Sequence, residues 1–175
     1  MASDYRLIGL ESIALGPAMV ATAGMPTAGQ LTSIANIVPD SCSLIIEQPG
    51  KTELMVEDSE YADIVTYQPA AKYIEFATRD MDNQVMVLAL GGTSTATLWR
   101  APRTGTVTSE KSVRAISKAY GGQKFRFDIV RAAVRGNADL KFTKTESGMV
   151  GFTCDILRPI QGATDYPITR ARISG

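Results

Sequence analysis

Side chains that could do chemistry are few, because the 175-residue sequence contains no histidine. This excludes Ser-His-Asp and Cys-His catalytic arrangements and every metal site that depends on histidine. The two cysteines, Cys42 and Cys154, are far apart in the sequence and form no Cys-x-x-Cys motif. We therefore expect two buried thiols in a reducing compartment rather than a disulfide.

Carboxylates are the remaining candidates for chemistry. Asp80 and Asp82 could act as a glycosidase pair, since such enzymes place two carboxylates on either side of a bond. Acids at a helix start are more commonly capping groups, and aromatic residues that would stack on a sugar make up only 7% of the chain. A second acidic group could hold calcium or magnesium, but it lacks the spacing and the glycine of an EF-hand. It comprises Glu57, Asp58, Glu60 and Asp63. We favour a solvated loop there and predict no enzyme, no metal site and no cofactor.

The elements that position these residues centre on 73–92. Residues 73–78 divide evenly between two faces, as in a half-buried strand. Two acids then suit a helix N-terminus, residues 85–90 are apolar without a break, and Gly91-Gly92 suits a helix C-terminus. The β-branched residues of this run would also suit a buried strand. We favour a short helix, buried on nearly all sides, within a fold otherwise made of strands.

Strands and turns account for most of the remaining chain. Turn signals predict hairpins around residues 48–51, 121–122 and 146–148, and a chain reversal at 135–137. The predicted strands are residues 5–13, 43–47, 53–57, 64–67, 93–100, 111–120, 123–132, 138–144 and 149–156. In the strand 123–132 the alternation places Phe125, Phe127 and Ile129 on a core face.

Two segments differ in kind from the strands. Residues 14–40 are small and rich in glycine, alanine and proline, and residues 158–175 contain Pro159, Gly162 and Pro167. Segments of this length without clear structure are uncommon in a compact domain, which favours a functional loop or arm, although a merely disordered loop is the alternative. We predict one domain over residues 1–175, with 14–40 and 158–175 as extended arm or loop segments.

The net charge of zero hides an asymmetry between the two halves of the chain. Residues 1–82 hold twelve acids and four bases, whereas residues 83–175 hold fourteen bases and six acids. The halves could neutralise each other within one subunit, or one copy's acidic face could meet another's basic face. The candidate inter-subunit surface comprises Arg114, Lys118, Lys124 and Arg126 together with Glu57, Asp58, Glu60 and Asp63. A grip on nucleic acid is less favoured, because exposed aromatics should then alternate with the bases.

No membrane or export segment is predicted. Glu11, Gly16 and Pro17 interrupt the apolar stretch that precedes a possible cleavage site, and no apolar run is long enough to span a bilayer. We expect the chain to be cytosolic when it is made.

The order of elements and four local patterns resemble the tail tube proteins (major tail proteins) of long-tailed bacteriophages, a superfamily shared with contractile tails and type VI secretion tubes. The patterns are Ile37-Val38-Pro39-Asp40-Ser41, Phe76-Ala77-Thr78-Arg79-Asp80, Leu88-Ala89-Leu90-Gly91-Gly92, and the closing stretch 148–159 with Phe152 and Leu157-Arg158-Pro159. Together they span most of the chain, and each is a loose pattern of strand, turn and cap.

The resemblance implies a mainly β fold, a β-sandwich or barrel with one short buried helix, that forms hexameric rings. Such rings stack into a tube through which double-stranded DNA passes without specific binding. The expected partners are further copies of the chain and other tail proteins, with no membrane, and the expected location is the virion tail after assembly in the bacterial cytoplasm. A tail terminator or connector, or a virion decoration protein with a related β-sandwich, is the alternative.

Overall fold

The computed structural model describes residues 9–18, 24–55, 62–103, 109–143, 147–160 and 166–175. Within these ranges the chain is mainly β, with several antiparallel sheets and one α-helix, which confirms the predicted class. The strands are β1 (Leu10–Pro17), β2 (Thr32–Ile34), β3 (Ser43–Ile46), β4 (Gly50–Met55), β5 (Ala62–Gln68), β6 (Lys72–Thr78), β7 (Thr93–Ser94), β8 (Trp99–Arg100), β9 (Ser109–Ser117), β10 (Gln123–Phe142), β11 (Ser147–Ile156) and β12 (Ile168–Ser174). The helix α1 (Asn83–Leu90) follows β6, and a 3₁₀ turn (Ala28–Gln30) precedes β2.

The largest sheet is organised around the 20-residue strand β10. Its strand order is β2-β1-β9-β10-β11-β6-β3, and β12 also pairs with β10. A register irregularity between Ile129 and Ala132 divides β10 in two. The part before the irregularity pairs with β12 and the part after it pairs with β11. One edge of β10 is therefore paired with two different strands in succession.

The two ends of this sheet are linked by the segment that follows β2. Strand β2 pairs with β1, whereas Ile37 forms a bridge to Thr78 and the Val38 N–H donates to the Ala77 carbonyl at 2.8 Å. The buried hydroxyl of Thr78 donates to the Ala35 carbonyl at 2.6 Å. Residues 32–38 therefore hydrogen-bond to both β1 and β6.

The core lies on the face of the sheet that these links enclose. Alternate residues of β1, β6, β9, β10 and β11 point into it, as period-2 strands require. Phe76 and Phe152 are register partners whose rings stack with centroids 4.7 Å apart. Phe125 and Ile129 are buried, and Phe127 is half-buried against the same cluster, so the predicted core face of this strand is confirmed.

The helix forms where the sequence predicts it. Asp82 accepts a hydrogen bond from the Gln84 N–H at 2.8 Å and so caps the helix. Asp80 accepts one from the Asp82 N–H at 3.1 Å and forms a turn just before the helix. Gly91, at φ 76°, ends the helix by donating its N–H to the Val87 carbonyl. Burial is less complete than predicted, because Gln84 is exposed and only one face of the helix lies in the core.

The predicted chain reversal at 135–137 is wrong, because β10 runs straight through it. Gly136 is required for close packing instead. A Cβ there would lie 2.6 Å from both the Cα and the carbonyl carbon of Ala89, in the backbone of α1. The glycine therefore lets the helix approach the sheet more closely than any side chain would permit.

The predicted strand 93–100 is also wrong. Residues 93–100 form a small hairpin of β7 and β8 in which Thr93 pairs with Arg100. The Trp99 Nε1–H donates to the Gly91 carbonyl at 2.9 Å and ties this hairpin to the end of the helix. The other two hairpin signals agree with the structure, since β9 pairs with β10 and β10 with β11.

Much of the segment predicted as an arm, residues 14–40, packs on its own subunit. Residues 14–17 complete β1, and β2 pairs with that strand. Pro26 is buried, and a Cβ on Gly16 would lie 2.8 Å from the Leu31 side chain. The apolar residues of this segment therefore cover β1, while residues 19–23 lie outside the described ranges. The tail segment 158–175 contains β12, which pairs along the first part of β10.

Candidate assembly surfaces

The most prominent surface feature is a two-stranded ribbon that continues from the main sheet. Strand β3 pairs with β6, and β4 pairs with β5, in one unbroken register from the Ser43–Glu75 pair to the Leu54–Ile64 pair. The Glu47 N–H donates to the Ala71 carbonyl at 3.0 Å between the two parts. This register places Pro49 opposite Pro69, and neither proline has an N–H to donate, so the ladder is interrupted there without reversing the chain.

The hairpin predicted between residues 43–47 and 53–57 is therefore wrong. Its turn signal, Gln48-Pro49-Gly50-Lys51, lies along the register that continues from the β3–β6 pair into the β4–β5 pair, rather than at a tip. Pro49 and Gly50 mark the point along the chain where β3 has ended and β4 begins. Strand β4 pairs with β5 rather than with β3.

We use the name ribbon for β4 and β5. Among the described residues, no helix or other strand packs extensively against it. Six paired residues at about 3.4 Å per residue make it roughly 20 Å long. Tyr67 and Val65, two residues apart on one strand face, are 66% and 40% exposed. An isolated two-stranded hairpin is marginally stable in water, so the ribbon is an element that a partner would stabilise.

The sequence 53–63, which includes the end of β4 and the start of β5, is strongly acidic. Residues 53–63 contain five acids, Glu53, Glu57, Asp58, Glu60 and Asp63, and no lysine or arginine. Asp63 belongs to β5, whereas Glu57, Asp58 and Glu60 lie outside the described residues.

Two of the predicted basic surface residues neutralise a buried acid of their own subunit. Asp128 is only 5% exposed and lies on the side of β10 opposite the phenylalanines. Arg114 donates through Nε to Asp128 Oδ1 at 2.7 Å, and Arg126 Nε lies 3.0 Å from Asp128 Oδ2. A carboxylate in this position needs such partners, because burying an unpaired charge costs several kcal/mol, on the order of 3–5. Arg114 is thus a structural residue.

Other bases of the second half are paired in the same way. Lys124 Nζ lies 2.9 Å from Glu11, which joins the two halves of the chain. Arg131 forms a two-point ion pair with Glu110, whose hydrogen bond lowers the pKa of Glu110 and raises that of Arg131. Arg135 lies 2.7 Å from Asp155. Of these three pairs, Lys124–Glu11 is the one that joins the two halves of the chain, whereas the other two lie within the second half and leave its net charge unchanged.

Three of the four candidate bases have acidic partners in their own subunit, whereas the candidate acids Glu57, Asp58 and Glu60 lie outside the described residues. Arg114 and Arg126 share Asp128, and Lys124 pairs with Glu11. Lys118 is exposed just beyond β9, where its aliphatic stem lies against Gly9.

A further basic feature is formed by β12, in the tail segment whose Ile168, Arg170 and Arg172 indicate from the sequence that it docks. Arg170 and Arg172 are register partners of Phe127 and Phe125, and both arginines are exposed. The guanidinium of Arg170 lies over the ring of Phe125, 5.3 Å from its centroid. We call Arg170, Arg172 and Phe125 the β12 strip. The alternation of basic residues in 168–172 was the signal for it, but only the pairing with β10 places it over the phenylalanines.

An open cavity of about 1020 Å³ lies beside the first residues of β1 and β3. Its apolar lining includes Leu10, Leu44 and Phe127. Cys42 lies on the wall, and burial, followed by the nearby Glu75 charge, raises the pKa of its thiol to about 11. Burial likewise raises the pKa of Cys154 to about 12, with smaller effects of Asp155 and Cys42. Both cysteines are free, and neither has the lowered pKa of a reactive thiol.

The described ranges contain no candidate metal site and no candidate membrane-spanning helix. No group of three or more cysteine, aspartate or glutamate residues there is placed to hold a metal ion. No helix in the part of the chain that the structure describes has the length and apolarity to cross a bilayer. A scan of family models found no match to the chain, and a search of curated proteins found none either.

Proposed function

We propose that the chain is a structural virion protein that polymerises as stacked hexameric rings into a phage tail tube, a conduit for DNA ejection. The proposal begins from the sequence resemblance and from a mainly β fold with one helix, which is compatible with a β-sandwich. The observation that carries it is the ribbon, which protrudes from the sheet without a supporting element in the described residues.

The physical argument is that the ribbon is stabilised by association. Within the described part of the chain its strands pair with each other and with no other strand, and they expose an aromatic and a β-branched side chain on one face. Covering that face with another copy would bury apolar area and add the packing that a lone hairpin lacks. A surface that inserts into a different surface of the next copy makes a heterologous contact, and such contacts generate rings or filaments.

The ribbon can be removed by design without disturbing the rest of the sheet. Glu47 and Ala71 face each other across the ladder, so replacing residues 48–70 by Asn-Gly closes a two-residue hairpin at that pair. We expect the shortened protein to fold and to sediment as a monomer, whereas the parent sediments as rings or longer assemblies. A shortened protein that assembles like the parent would contradict the role given to the ribbon.

A matched pair of point variants distinguishes ribbon contacts from general surface effects. Tyr67→Ser removes the most exposed aromatic of the ribbon, and Leu98→Ser removes a residue that is 46% exposed on the small hairpin between β7 and β8. We expect Tyr67→Ser to shift sedimentation towards monomer and Leu98→Ser to leave it unchanged. Equal effects would indicate nonspecific hydrophobic association.

A further inference from the structure

We propose that the open cavity beside β1 and β3 binds an extended peptide segment of a partner protein, which inserts as an additional strand between these two strands. The inference does not depend on the proposed function, because one subunit carries both walls of the cavity. It assigns a role to two strand edges that have no backbone partner among the described residues.

The first wall is the start of β1. Within the described residues, β2 pairs with β1 at residues 13–15 only, and the chain after β2 hydrogen-bonds to β6 instead. The Lys118 N–H donates to the Gly9 carbonyl at 3.2 Å. Bonding alternates along an antiparallel ladder, so the N–H and C=O of the next residue, Leu10, point away from β9. Leu10 therefore presents a donor and an acceptor at an edge that β2 does not cover.

The second wall is β3, which pairs with β6 and with no other strand in the described part of the chain. The same register places Glu47 opposite Ala71, and the Glu47 N–H donates to the Ala71 carbonyl. By the same alternation, the N–H and C=O of Leu44 point away from β6. Leu10 and Leu44 both line the cavity. Two uncovered strand edges thus border one open space.

An extended peptide is the ligand that matches two such edges, because its N–H and C=O groups point alternately to both sides. The main chain then supplies affinity, and pockets for alternate side chains supply specificity. The cavity offers such a pocket. Its volume of about 1020 Å³ includes the half-buried side chains of Leu10, Leu44 and Phe127 on its wall. We therefore expect a segment with apolar residues at alternate positions.

The charges on the cavity wall add a second selection. Lys118, whose stem lies against Gly9, is on the β1 side, and Asp40, which precedes β3, is on the other side. Neither forms an ion pair within the described residues. Glu11, the remaining charged residue of the wall, is already paired with Lys124. A peptide that carries one acid for Lys118 and one base for Asp40 complements this wall.

Decapeptides selected from a displayed random library provide the probe, with the full chain as the target. We expect enriched peptides to alternate apolar and polar residues and to contain an acid. In fluorescence anisotropy with a synthetic enriched peptide, N-methylation of either of two consecutive central residues should weaken binding about tenfold or more. Both positions are sensitive because successive N–H groups of an inserted strand bond to opposite neighbours.

A matched pair of variants tests the β3 edge. Leu44→Pro removes the outward N–H while sparing the bonds to β6, since proline is tolerated at such an edge position. It should weaken peptide binding about tenfold or more. Ile46→Pro removes an equivalent outward N–H from a residue that is 57% exposed and is not part of the cavity wall. It should leave affinity within about twofold of the parent. Leu44→Ala, which keeps the N–H, should weaken binding less than Leu44→Pro.

Circular dichroism and thermal unfolding confirm that each variant is folded, and the N-methyl series decides the question on the parent protein alone. The proposal is overturned if the parent enriches no peptide, if only every second N-methyl position is sensitive, or if none is. Equal losses for Leu44→Ala and Leu44→Pro would also contradict insertion. If binding appears only after residues 1–8 are deleted, the chain's own first residues are the occupant and the proposal is wrong. None of these results bears on ring assembly.

Discussion

Replacing Gly136 by alanine tests how closely α1 packs on β10. The added Cβ would lie 2.6 Å from the Cα and the carbonyl carbon of Ala89, and closer still to its carbonyl oxygen. Ordinary carbon contacts lie at about 3.5–4.0 Å, so the helix must shift by about 1 Å. The obstacle is helix backbone, which cannot rotate away as the end of a flexible side chain can.

The expected magnitude follows from two opposing effects. Overpacking a core costs about 1–3 kcal/mol, and a clash with three backbone atoms belongs at the upper end of that range. Alanine restricts the unfolded chain more than glycine does, and this effect raises the free energy of unfolding by about 0.4–1 kcal/mol. We expect Gly136→Ala to lower the free energy of unfolding by about 2 kcal/mol, equivalent to a decrease in Tm of roughly 4–8 °C for a chain of this size.

Urea unfolding followed by circular dichroism measures this difference, and the slope with denaturant should not change. Gly29→Ala is the matched control, because no atom lies within 4 Å of a Cβ at that exposed position. It should leave the free energy of unfolding within about 0.5 kcal/mol of the parent. If Gly136→Ala is as stable as Gly29→Ala, the close approach of helix and strand is not real.

Three further predictions concern single contacts. Arg114→Ala should lower the free energy of unfolding by about 3 kcal/mol, because it weakens the neutralisation of buried Asp128. Lys124→Ala loses a more exposed ion pair with Glu11 and should lower the free energy of unfolding by about 1 kcal/mol or less. Equal losses for the two variants in urea unfolding would contradict this prediction. Raising the pH from 8 to 10 should destabilise the protein through both cysteines, since the folded-state pKa values of about 11 and about 12 lie above the ordinary thiol pKa of 9.0 that applies to the unfolded chain. Stability that is present below pH 9 is then lost at about 1.4 kcal/mol per pH unit and per thiol until the pH passes the folded pKa. Cys42→Ala should therefore lose about 1.4 kcal/mol less than the parent over that pH interval, and an identical loss would show that the Cys42 thiol is not shielded. Trp99→Phe removes the hydrogen bond from Nε1 to the Gly91 carbonyl and should cost about 1 kcal/mol, while no change would mean that water replaces the bond freely.

The parts of the fold that sequence predicted well are those fixed by neighbouring residues. Asp82 and Gly91 lie directly at the two ends of α1, so capping chemistry marks the helix locally. The β9–β10 hairpin is likewise marked by the Gly121-Gly122 pair between its strands. Alternation correctly placed Phe125 and Ile129 in the core because β10 is regular there.

The parts that sequence missed depend on distant partners. Gly136 was read as a turn residue because nothing in its neighbourhood reveals that Ala89 approaches it from the helix. Pro49 and Gly50 were read as a hairpin tip because the sequence does not show that Pro69 lies opposite, in a ribbon whose two strands share one register. Local turn signals were overridden by strand pairing in both cases.

The candidate surfaces were predictable only in part. The sequence identified the acids of 53–63 and the basic character of β9 and β10, but charge alone does not reveal which residues pair within the subunit. Arg114 is an internal ion-pair partner because Asp128 lies next to it on β10. Arg170 lies beside the phenylalanines because β12 pairs with β10. Both relations are set by the register of long strands, which a single sequence specifies weakly.

The central claim, that copies of this chain assemble into hexameric rings that stack, is tested most directly by negative-stain electron microscopy of the purified protein at increasing concentration. The proposal predicts end-on views with sixfold symmetry and side views of stacked rings or tubes. It also predicts that these particles disappear when residues 48–70 are replaced by Asn-Gly. A folded protein that gives only single-subunit particles at every concentration would contradict it.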